Sequence, residues 1–156
     1  MSTCTCTDVH THIVPENFPV YAGSNANVPW PSMAEAHACH RHVMISGKVY
    51  RTVADGSWSV PRRISHMDEA RVTRHALSPM PELLSYWLPL DDAKVLIRYL
   101  NDSIAGMIDE APDRFRPGLR AAAGRGRGDP RTRIRGQHAE VLRRGNRLAR
   151  ERCLDR

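Results

Sequence analysis

Two histidines, His10 and His12, stand one residue apart inside Thr7-Asp8-Val9-His10-Thr11-His12-Ile13-Val14-Pro15. Val9 and Ile13 have β-strand character, and side chains alternate along a strand with period two. Both imidazoles should therefore face the same side of a short buried strand. Two such rings at a strand end can grip one divalent ion through neutral nitrogens. The plain alternative is a pair of solvated loop histidines. Asp8 before the pair and the Ile13-Val14-Pro15 exit after it favour the metal reading.

Two further places could carry chemistry. His37-Ala38-Cys39-His40-Arg41-His42 combines imidazole and thiolate donors. Its spacing fits no standard zinc pattern, and no paired Cys-x-x-Cys exists elsewhere, so it reads as a polar insertion loop. Arg51 stands between Val49 and Val53 on one face of a predicted strand. An arginine there suits a pocket that meets a carboxylate. An exposed edge-strand arginine fits the spacing equally well.

The elements that must position these residues follow in order. Residues 14–42 hold Pro15, Pro19, Pro29 and Pro31 and read as a broken loop. Val43-Met44-Ile45, Ser46-Gly47 and Lys48–Val53 read as a β-hairpin with a two-residue turn. Ser59 can cap a helix that starts near Pro61. Within that helix His66 reads as a surface residue. Val72–Ser78 reads as a strand ending at Pro79. Asp91 or Asp92 can cap a helix over about residues 91–110. There Ala93, Leu96, Ile97, Leu100, Ile104, Met107 and Ile108 form an apolar stripe at helical spacing.

Composition bounds the rest. The 156 residues suffice for one domain, but a complete (β/α)8 barrel typically needs roughly 250. Net charge is +6, unevenly spread. Residues 1–115 hold 10 Lys and Arg against 13 Asp and Glu, and residues 116–156 hold 13 Arg against 4 acids. The high pI thus belongs to the tail, and a global nucleic-acid inference is misplaced. Cys4, Cys6, Cys39 and Cys153 form no disulfide framework, and the first residues lack a signal-peptide pattern. No apolar run approaches a membrane span. These features predict a reduced, soluble, cytoplasmic protein with no membrane partner.

Asp8-Val9-His10-Thr11-His12 resembles the first-strand metal motif of the amidohydrolase superfamily. Gly47-Lys48-Val49-Tyr50-Arg51 followed by Trp58 resembles the inserted hairpin of its amidohydrolase-related decarboxylase branch. Arg63–Glu69, Val72–Trp87 and Leu100–Phe115 are similar to the branch's first helix, second strand and second helix. Arg74 and His75 depart from the apolar or amide residues expected there. The resemblance implies an α/β fold, the N-terminal fragment of a metal-dependent (β/α)8 (TIM) barrel. It implies a carboxy-lyase acting on an aminocarboxymuconate-semialdehyde-like unsaturated acid. It also implies a divalent metal, zinc being the expected ion. His10 and His12 would be metal ligands, and Arg51 would hold the small carboxylate substrate. A metal-dependent hydrolase of the same superfamily is the alternative, because the first strand does not distinguish the two.

The resemblance stops after Phe115. Residues 116–136 read as a disordered Arg/Gly-rich linker, and 137–156 as a C-terminal helix with Val141, Leu142, Leu148 and Cys153 on a stripe. The abrupt change suggests a reading frame shifted just after Phe115, which translation of the other two frames would test. A chain so truncated is expected to be inactive and, with open sheet edges, to self-associate as a homo-oligomer. A small basic-tailed binding protein is a further alternative. Its tail lacks aromatic residues, so nucleic-acid contact would be unspecific and is not the expected role.

Overall fold

The computed structural model describes residues 6–25 and 27–118. These fall in the first of two compact units, Met1–Gly124, and the expected tail elements beyond residue 118 lie outside the described residues. The fold is mixed α/β. A parallel three-stranded sheet has the order β1 (Thr7–Ile13), β5 (Arg74–Pro79), β6 (Phe115–Pro117), with β5 in the centre. An antiparallel sheet has the order β2 (Pro31–His37), β3 (His40–Ile45), β4 (Lys48–Ala54).

Parallel neighbours need long crossovers. The path from β1 to β5 runs through the antiparallel sheet and helix α1 (Val60–Glu69), and that from β5 to β6 through helix α2 (Leu90–Glu110). Ser59 caps α1 by accepting the Arg62 backbone N–H, with Pro61 in the first turn. Helix α2 starts one residue earlier than expected, after Pro89, and no side chain caps it. Asp91 instead pairs with Lys94 at 2.8 Å, and Asp92 accepts from the Tyr21 hydroxyl at 3.0 Å.

The apolar stripe of α2 joins two cores. Leu96 and Leu100 pack with Val14, Val43, Met80 and Leu83 on the side of the antiparallel sheet. Ile104 and Met107 pack with Ile13, Val60, Met67, Leu77 and Phe115 over the parallel sheet. A single helix thereby fixes the carboxyl ends of β1 and β5 from behind.

Three sequence expectations need correction. Residues 14–42 are not all loop, because β2 pairs with β3 from Pro31–Ile45 to His37–His40. The His37–His42 stretch is accordingly a strand end, a turn and a strand start. Strand β1 is buried only in its carboxyl half, and Val9 is exposed. Among the described residues β1 has a partner on one side only, and its pairing with β5 is interrupted by a bulge between Asp8 and Thr11. Finally, Val49, Arg51 and Val53 do not form one regular face. The pairs Val43–Arg51 and Met44–Val49 leave Tyr50 as an extra residue, and this bulge breaks the alternation.

Candidate metal centre

His10 is the exposed middle residue of β1 and His12 lies in its carboxyl half, with ring centroids 4.9 Å apart and an interplanar angle of 78°. Asp8 Oδ1 accepts the His10 backbone N–H at 2.9 Å, within the bulge. The His12 ring is held from β5, with Nδ1 3.2 Å from the Pro79 carbonyl oxygen. A carbonyl can only accept, so this contact requires the proton on Nδ1. The neutral ring then keeps its lone pair on Nε2. Metal-ligating histidines are oriented by this kind of bond from the other ring nitrogen.

Two imidazoles are two of the three or four donors that a zinc site uses. Their rings meet edge to face at 4.9 Å. Among the described residues, no group of three His, Cys, Asp or Glu side chains is placed to hold a metal. The His37–His42 stretch is included in that statement. Its His40 Nδ1 is 3.0 Å from the Ala38 carbonyl and its His42 Nδ1 is 2.8 Å from Thr52 Oγ1.

Arg51 is exposed on β4. Its neighbour Tyr50 donates its hydroxyl to Glu82 Oε1 at 2.7 Å. Glu82 sits in the short 3-10 turn Pro81–Leu84 that follows β5. The Tyr50 hydrogen bond holds its carboxyl below the usual range, and the charges of Arg51 and His12 act in the same direction. Its second oxygen, Oε2, is buried with no hydrogen-bond partner. His12, Glu82 and Arg51 thus share one electrostatic neighbourhood at the carboxyl end of the parallel sheet. In α/β folds that end is where ligands bind. A separate cleft lined by Ile13, Pro15, Trp58, Tyr99 and Met107 includes none of these residues.

No family model matches the chain. It is 35% identical over 108 residues to 2-amino-3-carboxymuconate-6-semialdehyde decarboxylase of Dictyostelium discoideum, covering 69% of this chain and 30% of that protein. To the protein of the same name from Caenorhabditis elegans it is 28% identical over 110 residues, covering 70% of this chain and 27% of the other. Over part of its length, this chain is a relative of the amidohydrolase-type decarboxylases. It spans under a third of the length of either decarboxylase. No helix among its described residues is long and apolar enough to cross a membrane.

Two residues beside the histidine pair have contacts that only the fold reveals, Glu82 and Arg63. Glu82 lies 32 residues from Tyr50 in sequence, and only the fold brings the two together. Arg63 had a signal: Val60, Arg63 and Met67 lie at helical spacing, so the arginine falls on the apolar face of α1. It is buried there, donating Nε–H to the Gly56 carbonyl at 2.9 Å and Nη2–H to the His12 carbonyl at 2.7 Å.

Proposed function

We propose that these strands carry the first part of a divalent-metal decarboxylase site for a small unsaturated carboxylic acid of the aminocarboxymuconate-semialdehyde type, with zinc as the metal. The observation that carries this reading is the His10–His12 pair, with its Nδ1–H from His12 to Pro79 leaving Nε2 free. The names of the two relatives supply the reaction class and the substrate class. A bound divalent ion stabilises negative charge on a substrate oxygen and brings the pKa of its water toward neutrality. His10 and His12 would hold it, and the Pro79 carbonyl sets the tautomer of His12. Arg51 takes the substrate carboxylate with its planar fork. Loss of CO2 leaves the electron pair of the broken C–C bond on carbon, which then takes up a proton.

Zinc sites usually use three or four protein ligands. Two imidazoles alone should hold zinc weakly, and the chain as given should not turn over substrate. Among the described residues β1 and β6 have no strand partner on their outer edges, which supports the expected self-association, and size-exclusion chromatography with light scattering would measure it.

Calorimetric titration with zinc tests the site. The expected dissociation constant is no tighter than about micromolar, near −8 kcal/mol. His10→Ala and His12→Ala should each weaken it tenfold or more, whereas His42→Ala should not. Nanomolar affinity that is indifferent to His10→Ala would sink the reading.

A further inference from the structure

The bulge at Tyr50 has a second effect. Strict alternation would send Tyr50 and Arg51 to opposite faces of β4. With Tyr50 as the extra residue, the Tyr50 hydroxyl and the Arg51 charge both act on the carboxylate of Glu82. Bulges commonly re-aim side chains beside functional sites. Glu82 is three residues beyond Pro79, the residue whose carbonyl orients the His12 ring. The end of β5 and the turn that follows it therefore touch both halves of the site. Pro79 orients the imidazole, and Glu82 ties down the strand that bears the arginine.

We propose that Glu82, through its hydrogen bond to Tyr50, is a positioning residue that sets Arg51 against the His10–His12 pair for carboxylate binding. The inference rests on Arg51 being the carboxylate anchor. Glu82 is well suited to the part. Its Oε1 is committed to Tyr50 at 2.7 Å, so the strand that carries Arg51 is tied to the turn after β5. An arginine side chain is long and rich in rotamers, and ordering it beforehand reduces the entropy lost on binding. The His12 ring is held by a backbone carbonyl, independently of Glu82.

That independence supplies the test. Fumarate is titrated into the full chain while the Arg51 Nε–H resonance is followed by NMR, and zinc affinity is measured alongside. In the unaltered chain, fumarate should shift that resonance in a saturable way, and Arg51→Ala should abolish binding. Tyr50→Phe and Glu82→Ala should each raise the fumarate dissociation constant about tenfold. Glu82→Gln retains an oxygen acceptor for Tyr50 and should stay within about threefold. Zinc affinity should change less than twofold in Tyr50→Phe, which keeps the Glu82 charge beside His12. Unaltered fumarate affinity in Tyr50→Phe overturns the proposal. So does a zinc affinity that falls in step with fumarate, because both losses would then report damage to the fold. If fumarate binds but ignores Arg51→Ala, the arginine is no anchor, and this inference falls with that reading. The zinc site would stand or fall separately.

Discussion

Arg63 of helix α1 donates its Nη2–H to the backbone carbonyl of His12 at 2.7 Å. A guanidinium thus closes the carboxyl end of β1, where the next neighbour along a sheet would otherwise supply the bond. Its Nε–H goes to Gly56, and no carboxylate pairs with it among the described residues. Burial pushes the Arg63 guanidinium down to about 10, which still leaves it charged at neutral pH.

Arg63→Met keeps the bulk and the apolar face of α1 but leaves two carbonyls without their donor. Hydrogen bonds to charged groups contribute about 1.5–3 kcal/mol each, and removing a buried charge returns part of that. The expected net loss is about 2–3 kcal/mol, read as a lower urea midpoint with an unchanged slope. The loss should be flat from pH 6 to 9. Below pH 10 the folded and unfolded states both carry the arginine proton. Only above about 10 does the unfolded state bind more, so there the wild-type chain gains stability as pH rises. An unshifted midpoint in Arg63→Met would remove the brace from the argument.

Arg51→Lys addresses the opposite case, a charged residue that the fold does not need. Arg51 is exposed and makes no ion pair within 4.0 Å among the described residues. The substitution should alter stability by no more than roughly 0.5 kcal/mol, as at other surface sites. Fumarate binding should still weaken, because an ammonium cannot make the two parallel bonds of the guanidinium fork. Thermal unfolding and the NMR titration measure the two effects separately. A stability loss above 1 kcal/mol would make Arg51 a structural residue.

These contrasts show what was legible in the sequence. Helix α2 was legible because its stripe repeats over five turns and both cores use it. The β3–β4 turn was legible because Ser46-Gly47 adopts positive φ at both positions, as a hairpin turn of this kind requires. Strand β2 was not. Ala34, Glu35, Ala36 and His37 have weak strand preference, and pairing with β3 imposes the conformation on them. The His10–His12 spacing was readable, but the bond that orients His12 was not, since Pro79 lies 67 residues away. The two bulges were equally hidden. Each depends on a register between strands, which no single strand encodes.

The Tyr50–Glu82 bond predicts an acid dependence. The hydrogen bond holds the Glu82 carboxyl below its ordinary 4.5. A carboxyl depressed in the folded state contributes stability that is fully present above 4.5 and is lost as pH falls through the folded value. Tyr50→Phe removes the largest cause of that depression. Wild type and variant should therefore differ most in stability at pH 6–7 and converge as pH drops toward 3. A gap that stays constant to pH 3 would mean that Tyr50 contributes by packing alone.

His75 predicts a dependence of the opposite origin. It stands on central strand β5, opposite Asp8 on one side and Phe115 on the other. Its Nδ1 is buried with no hydrogen-bond partner. Burial lowers its pKa from 6.5, the nearby charges of Arg63 and Arg114 lower it further, and Asp8 opposes them. The folded state thus resists a proton that the unfolded state accepts. Stability is undiminished above 6.5 and declines as pH falls from there toward the folded value. His75→Leu places an apolar side chain among Phe115 and its neighbours and removes the group that titrates. At pH 7.5 the two proteins should be close in stability. At pH 5 the leucine variant should have the higher urea midpoint. If the difference between them is the same at both pH values, His75 is accepting its proton freely in the folded chain, and the burial of Nδ1 has no energetic consequence.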